Sequence, residues 1–287
     1  MALKTTTSTT GRHLASDGRV RAPLLAIGGL DSSGGAGLVR DFLTATALGH
    51  PIHLVATAWT LQVPTPNEAP PAPAALTAVR PRAATEISAD VLGVIAAVGP
   101  AAIKVGMVAT ADVARSLADV LAGQDAPIVY DPVLQASTGR SLFEGDVKAL
   151  TPLLRVATLV TPNLDEAAML SGQPVGDGAS TSDQDAEGAA RAAQVLLRAG
   201  ARAVLIKGGH GTGPTADDLL ITTSGTRSFS AQRLPGPSPR GTGCALATAI
   251  AAGLARGEPL ENAVAAAKTW LHQAIANAQD RGGQRML

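Results

Sequence analysis

The sequence predicts one α/β domain with three layers, in which helices cover both faces of a mainly parallel central sheet. Hydrophobic residues make up 46 % of the 287 positions and charged residues 16 %, which is enough apolar material for a large buried core. Short apolar runs alternate with Ala- and Leu-rich segments of helical spacing, and this alternation favours right-handed crossovers between parallel strands. Neither an internal repeat nor a change of composition divides the chain, so we expect a single domain over residues 23–287.

Strands and helices are expected to alternate along most of the chain, because apolar runs that stop at glycine, proline or polar residues are typical of buried strands. Such runs predict strands at 23–27, 52–58, 102–108, 127–130, 157–160 and 203–206. Helical spacing predicts helices at 38–48, 89–98, 111–121 and 187–199. A hairpin is expected around Ser224-Gly225, with strands at 218–222 and 226–230. Two Ala-rich helices are expected near the end of the sequence, at 243–255 and 260–278.

The segment 62–81 interrupts this alternation with six prolines. Proline lacks an N–H donor and fixes its own backbone, so neither a helix nor a central strand is expected there. We expect a long loop that covers a pocket, since long loops inside compact domains are usually functional. A linker between domains is the alternative.

The first 22 residues are polar and carry four basic residues against one acidic residue. They lack the apolar run of roughly 7 to 15 residues that a secretory signal requires, so a disordered tail is expected, with a transit-type arm as the alternative. No apolar stretch reaches the roughly 20 residues that a membrane helix needs. We expect a soluble protein.

Charge and composition exclude several classes of partner. Lysine plus arginine and aspartate plus glutamate both number 23, so no global field attracts nucleic acid or an anionic membrane. Aromatic residues make up only 2 %, which disfavours stacking platforms for single-stranded nucleic acid. The single cysteine, Cys244, excludes an intrachain disulfide and a multi-cysteine zinc site, and it favours a reducing, cytoplasmic setting.

Two glycine-rich loops predict a site for an anion. Ligands of open α/β sheets bind beyond the carboxyl ends of the strands, where this chain has Gly28-Gly29-Leu30-Asp31-Ser32-Ser33-Gly34-Gly35-Ala36-Gly37 before a helix. Glycine allows a close backbone approach and a helix start favours an anion; a tight strand–helix turn is the alternative. The loop matches neither the Walker pattern nor the Gly-x-Gly-x-x-Gly fingerprint.

The second loop reads Arg240-Gly241-Thr242-Gly243-Cys244 and leads into an Ala-rich helix. The N–H groups of Gly241, Thr242, Gly243 and Cys244 at a helix start form an anion pocket at the positive end of the helix dipole. A cysteine there is expected to have its thiolate favoured, which suits a base or nucleophile. The alternative is a small buried apolar residue.

Polar residues follow three further strands. Asn163 and Glu166 stand three apart at a helix start and can hold a hydrated magnesium, although plain N-terminal capping explains the same pair. Asp131 can act on a metal or phosphate, with a turn-forming role as the alternative. Lys207 suits a phosphate, with a solvated surface lysine as the alternative, and His210 is expected to be structural or exposed. This set of groups matches phosphoryl transfer, in which positioning and charge neutralisation carry most of the catalysis.

Six motifs together make the sequence resemble bacterial hydroxymethylpyrimidine/phosphomethylpyrimidine kinases of thiamine biosynthesis, within the ribokinase-like superfamily. They are the Gly-rich run from Ala26 to Gly37, Lys104-Val105-Gly106-Met107, Asp131-Pro132-Val133, Thr161-Pro162-Asn163-Leu164-Asp165-Glu166, Lys207-Gly208-Gly209-His210 and Gly241-Thr242-Gly243-Cys244. The resemblance implies a ribokinase-like α/β/α sandwich, usually a homodimer, that uses MgATP. It implies phosphorylation of 4-amino-5-hydroxymethyl-2-methylpyrimidine and then of its monophosphate.

The resemblance also implies roles for individual residues. Asp41 and Gln62 would hydrogen-bond the aminopyrimidine, in a pocket lined by Gly28, Met107 and Val133. Cys244 would occupy the position of the catalytic base, and the amides from Gly241 to Cys244 would stabilise the transferring phosphoryl group. Phosphates and magnesium would be organised by Asn163 and Glu166, with Lys207 on an ATP phosphate.

The chain departs from the family pattern at the substrate and phosphate loops. Leu61-Gln62-Val63-Pro64 keeps only the glutamine of the usual segment, a lysine is absent from Ala136-Ser137-Thr138-Gly139, and Arg240 replaces a frequent histidine. A pyridoxal/pyridoxine kinase is therefore the nearest alternative function. A non-catalytic pyrimidine-binding regulator on the same fold is a second alternative, and a Rossmann oxidoreductase lacks its glycine fingerprint.

Overall fold

The computed structural model describes residues 21–63, 75–136, 139–175, 183–209, 213–281 and 284–287. The predicted tail lies outside these residues apart from its last two positions, as do His210 and most of the Pro-rich segment. Among the described helices, none combines the length and the apolarity needed to cross a bilayer.

One large sheet forms the middle of the molecule, with the strand order β3-β2-β1-β4-β5-β6-β7-β8-β9. Neighbouring strands from β2 through β7 pair in parallel, whereas β3 on one edge and β8 and β9 on the other pair antiparallel. The strands are β1 (Leu24–Asp31), β2 (Ile52–Val63), β3 (Ala75–Pro81), β4 (Ala102–Val105), β5 (Ile128–Tyr130), β6 (Leu159–Val160), β7 (Ala203–Ile206), β8 (Thr215–Thr222) and β9 (Gly225–Gln232). A separate hairpin pairs β10 (Gln279–Arg281) with β11 (Gln284–Met286).

Helices cover both faces of the sheet, so the predicted three-layer α/β/α fold is confirmed. They are α1 (Gly37–Ala47), α2 (Ala84–Val98), α3 (Ala111–Leu121), α4 (Thr151–Val156), α5 (Leu164–Ser171), α6 (Asp183–Ala199), α7 (Thr242–Ala255) and α8 (Leu260–Ala276). A short 3-10 helix, Val147–Leu150, precedes α4.

Two buried clusters show which helices share a face. Leu25 and Ile27 of β1 pack with residues of α2, α3, α4, α5 and α6. Leu24, which points to the opposite face, packs with residues of α1, α7 and α8. Side chains of a strand alternate between faces, so β1 contributes to both clusters and is covered on both sides.

The expected long loop over 62–81 is wrong at both ends. β2 continues to Val63, and Ala75–Pro81 forms β3, which pairs antiparallel with β2. Exclusion of a central strand holds for Ala75–Pro81, because β3 lies at the edge of the sheet, where proline is tolerated. It is wrong for Gln62 and Val63, which end the internal strand β2. Residues 64–74 of that segment lie outside the described part of the chain.

Candidate active site

The predicted site residues follow the carboxyl ends of neighbouring parallel strands. Asp131 comes directly after β5, Thr161 directly after β6, and Lys207 directly after β7. Because parallel strands all end at the same edge of a sheet, the loops that follow them meet there. A backbone bridge between Asn163 and Lys207 joins two of these loops directly.

Lys207 and Asp131 form a buried ion pair at this edge. The Lys207 Nζ atom lies 2.7 Å from Asp131 Oδ1 and 3.8 Å from Glu166 Oε2. The Thr161 hydroxyl donates a further hydrogen bond of 3.2 Å to Asp131. Because the Lys207 side chain is only 13 % exposed, the alternative of a solvated surface lysine is wrong.

These contacts set the protonation of all three groups. Burial opposes the charge on Lys207, but Asp131 and Glu166 outweigh it and hold the pKa of the ammonium above its usual range. Burial also opposes ionisation of Asp131, yet Lys207 and Lys104 hold the pKa of that carboxyl below its usual range. Burial and the charge of Asp131 raise the pKa of Glu166 to about 7, although the charge of Lys207 acts in the opposite direction.

Asn163 and Glu166 form a capping box at the start of α5. The Glu166 N–H donates to Asn163 Oδ1 at 2.8 Å, and the Asn163 N–H donates to Glu166 Oε2 at 2.7 Å. The capping interpretation is therefore confirmed. The Glu166 carboxylate also faces Lys207, so capping and a role in the site are not exclusive.

The second glycine-rich loop places the first amides of α7 beside this ion pair. A Cβ on Gly243 would lie 3.2 Å from Lys207 Nζ and 3.9 Å from Asp131 Oδ2. Gly241 has φ +78°, and a Cβ there would collide with the main-chain oxygen of Gly35. Only glycine lets the two loops pack this closely, and the start of α7, where an anion is favoured, therefore lies next to an ammonium group.

Cys244 lies in the first turn of α7 and is 8 % exposed. Burial raises the pKa of its thiol to about 11, although Lys104 and a hydrogen bond from the Gly37 N–H act in the opposite direction. The expectation of a favoured thiolate is therefore wrong, because desolvation outweighs the helix start and the nearby cation.

Asp41 is completely buried beneath the site. Its two carboxylate oxygens accept hydrogen bonds from Lys104 Nζ at 2.9 Å and from the Thr248 hydroxyl at 2.8 Å. The Asp41–Lys104 pair thus joins α1 to β4, and Thr248 joins it to α7. Direct contact of Asp41 with a pyrimidine stays a prediction.

Two glycines of β1 differ in the residues that they face. A Cβ on Gly29 would lie 2.8 Å from Met107 Sδ, whereas a Cβ on Gly28 would face Gly106 and Leu38. Gly29 therefore lies against Met107, and the expected place of Gly28 in the pyrimidine pocket stays a prediction. Met107 shares a small apolar cluster with Val133.

Gln62 lies in β2, and its backbone pairs with that of Leu76 in β3. Its expected hydrogen bonds to the pyrimidine ring stay a prediction.

Sequence reasoning assigned no role to Lys104 or to Arg240, and both are part of this site. The Arg240 guanidinium pairs with Asp31 at 3.3 Å and donates to the Ser33 hydroxyl at 3.2 Å. Lys104 carries a charge inside an apolar run predicted to be a buried strand, which is a signal that it has a buried partner. Arg240 offers no such signal, since its partner lies more than 200 positions away.

Comparison with known proteins gives a consistent result. The family model described as phosphomethylpyrimidine kinase matches residues 31–286. The hydroxymethylpyrimidine/phosphomethylpyrimidine kinase of Rhizobium meliloti (strain 1021) is 40 % identical over 257 residues, which cover 88 % of this chain and 90 % of that protein.

Two solved structures resemble the fold. The phosphomethylpyrimidine kinase of Clostridium difficile 630 has a TM-score of 0.70 and 28 % identity, and the match covers 89 % of this chain and all of that chain. The pyridoxal kinase of Staphylococcus aureus in complex with ADP has a TM-score of 0.78 and 28 % identity, and the match covers 93 % of each chain. The fold is therefore shared by kinases of both kinds.

Proposed function

This chain belongs to the phosphomethylpyrimidine kinase family, and from that membership we propose that it phosphorylates 4-amino-5-hydroxymethyl-2-methylpyrimidine with ATP. The product monophosphate is the acceptor of a second phosphorylation, and both steps serve thiamine biosynthesis. The observation that carries the proposal is the meeting of the α7 amides with Lys207 at Gly243. Such a pocket stabilises the charge that develops on a transferring phosphoryl group.

In the first step, the oxygen of the acceptor hydroxymethyl group forms a bond to the γ-phosphorus of ATP. The bond from that phosphorus to the β,γ-bridging oxygen breaks, and ADP leaves. The amides from Gly241 to Cys244 hold the transferring oxygens, and Lys207 neutralises phosphate charge. The hydroxyl proton passes to the Cys244 thiolate, which is the minor form at neutral pH because burial raises the thiol pKa to about 11.

The charges of the site fit a magnesium complex of the nucleotide. Ion pairs of the site join three cations to four carboxylates, namely Lys104, Lys207 and Arg240 to Asp31, Asp41, Asp131 and Glu166. The buried guanidinium of Arg40 adds a fourth cation near Asp41. This set alone cannot neutralise a triphosphate. Mg²⁺ keeps several waters and shares substrate phosphates, so it needs few ligands from the protein. Glu166 and Asn163, with Asp131 beside them, would hold it, and it would neutralise phosphate charge when bound.

Pyridoxal kinase activity is the second candidate, favoured by the TM-score of 0.78 to a pyridoxal kinase. An assay of ADP release with ATP and magnesium separates the two. We expect turnover with hydroxymethylpyrimidine and with its monophosphate at kcat/KM at least tenfold above that with pyridoxal. Higher kcat/KM with pyridoxal would contradict the proposed substrate.

We also propose that the enzyme is a homodimer. Several large apolar side chains are exposed on α1 and on β2, namely Phe42, Leu43, Trp59 and Leu61, and exposed apolar groups of this kind mark contact surfaces. Light scattering coupled to gel filtration should give twice the mass of one chain, and a monomer mass at micromolar concentration would contradict this. The expected location in the cytoplasm stays a prediction.

A further inference from the structure

Arg240 lies between the two glycine-rich loops of the site. It directly precedes Gly241, the residue before α7, and its guanidinium reaches the loop after β1. There, Nη2 lies 3.3 Å from Asp31 Oδ2, and Nη1 lies 3.2 Å from the Ser33 hydroxyl. A Cβ on Gly35 would lie 3.6 Å from the Cβ of Arg240, so the backbone of both loops is close to this side chain.

The other two cations of the site have different positions. Lys104 is 2 % exposed and bound to Asp41 beneath the site. Lys207 lies on the other side of the anion pocket, against Gly243, and is bound to Asp131. Arg240 is 12 % exposed, and it is the one of these three that borders the loop after β1, through Ser33.

The two proposed phosphorylation steps differ in the charge of the acceptor. In the first step, the acceptor is a neutral hydroxymethyl group. In the second step it is a phosphomonoester, which carries roughly −1.5 to −2 charges at pH 7 and must approach the γ-phosphate of ATP. A cation next to the acceptor therefore matters in the second step far more than in the first. A guanidinium suits this task, since its planar donors match two phosphate oxygens at once.

We propose that Arg240 is a specificity-determining residue that binds the phosphate of the monophosphate acceptor. The inference rests on the proposed function, because it gives Arg240 a role in the second of the two proposed phosphorylation steps. Asp31 and Ser33 hold the guanidinium beside the anion pocket, and the incoming phosphate shares it with Asp31.

Steady-state kinetics of Arg240→Gln with both acceptors test this assignment. KM for the monophosphate should rise roughly 10- to 100-fold, the range expected for loss of a hydrogen-bonded charge partner. This rise should exceed any rise in KM for the unphosphorylated pyrimidine at least tenfold. Calorimetric titration of the monophosphate in the absence of ATP should show the same loss of affinity, and Arg240→Lys should restore part of it. Arg227→Gln removes the same charge from an exposed pair with Glu261 and should leave both KM values unchanged.

Equal rises in KM for the two acceptors, or no rise for either, would overturn the inference, because Arg240 would then only brace the loops. A further control is the double variant Asp31→Asn with Arg240→Gln. Recovery of monophosphate binding in that variant would show that Arg240 merely neutralises Asp31, which also overturns the inference. If the wild-type enzyme phosphorylates neither pyrimidine, the proposed function fails instead, whatever the variants do.

Discussion

Two opposing effects act on the thiol of Cys244 in the first turn of α7. The helix start, Lys104 and the Gly37 N–H favour a thiolate, whereas burial favours the thiol and raises its pKa to about 11. At neutral pH the thiol is nearly all protonated, and each pH unit below 11 lowers the thiolate fraction about tenfold. The reactivity of Cys244 is therefore controlled by desolvation. The position of a cysteine at a helix start does not show how deeply it is buried, so this effect could not be predicted from the sequence.

Cys244→Ala should lower kcat roughly 10²- to 10⁴-fold, which is the usual contribution of a general base. The affinity for ATP should change little, because the backbone amides of α7 remain. In the wild type, kcat should rise with pH through the neutral range, because the thiol has its raised pKa of about 11. In Cys244→Asp this rise should move to lower pH, since a carboxyl ionises at a lower pH than a thiol in the same surroundings. A Cys244→Ala enzyme with full turnover would contradict the role of a base.

Lys207 and Asp131 illustrate a second residue-scale effect, the cost of breaking a buried ion pair. Lys207→Met should raise KM for ATP and lower the free energy of unfolding by about 3–5 kcal/mol, because Asp131 is left buried and unpaired. Adding Asp131→Asn should restore much of that stability, measured by urea unfolding, but not the affinity for ATP. Recovery of both by the double variant would show that Lys207 acts on structure alone.

Residue positions could be predicted where a simple rule applied. Asp131, Asn163, Glu166 and Lys207 follow the ends of parallel strands, and the rule that such ends converge brought them together correctly. The contact of Gly29 with Met107 was not predicted, and it lies where the register of β1 against β2 shifts, between Gly28 and Gly29. An irregularity of this kind interrupts the alternation of faces and is set by pairing with another strand.

At the scale of elements, the segment after α1 carries an unusual buried histidine. His50 donates its backbone N–H to the Ala45 oxygen at 2.8 Å, while its ring is 4 % exposed. Neither ring nitrogen has a hydrogen-bond partner among the residues described. Burial, followed by the charges of Arg256 and Arg21, lowers the pKa of the imidazole to about 4.

This histidine should make the stability of the protein depend on pH. The unfolded chain binds a proton below about pH 6.5, and the folded protein binds it only below about 4. Stability is therefore complete above pH 6.5 and falls as the pH drops toward 4, by up to roughly 3 kcal/mol. His50→Leu should remove most of this loss, as measured by urea unfolding at pH 7.5 and pH 4.5. An unchanged difference between the two pH values would assign the pH dependence to other groups.

The Pro-rich segment shows where element prediction stopped. Prolines argue against a central strand, which holds for Ala75–Pro81, but they do not exclude an edge strand, which needs hydrogen-bond partners on one side only. β3 pairs with β2 from Ala58 to Val63. Whether a segment lies at an edge depends on the order of strands in the sheet, and strand order is a property of the whole fold.

For the whole molecule, the sequence was sufficient to predict the architecture, because buried parallel strands alternate with helices along most of its length. The charge of the site is also a property of the whole molecule. Its charged groups come from α1, α5, β1, β4 and the loops after β5, β7 and β9, so their sum appears only after folding. The four carboxylates offset the cations of the site, Arg40 included, so we expect the proposed binding of a triphosphate to need a divalent cation.

Removal of divalent cations by EDTA should abolish activity, and magnesium should restore it. Glu166→Gln keeps an acceptor for the Asn163 N–H and should raise the half-saturating magnesium concentration about tenfold, a typical effect of losing a group that supports a metal.

Burial and the charge of Asp131 raise the pKa of Glu166 to about 7, so below pH 7 the metal must displace a proton. The magnesium requirement of the wild type should thus rise by up to about tenfold per pH unit below 7 and stay flat in Glu166→Gln. The exposed carboxylate variant Glu187→Gln, whose partner is Arg191, should titrate like the wild type. If Glu166→Gln also titrates like the wild type, the Asn163–Glu166 pair only caps α5.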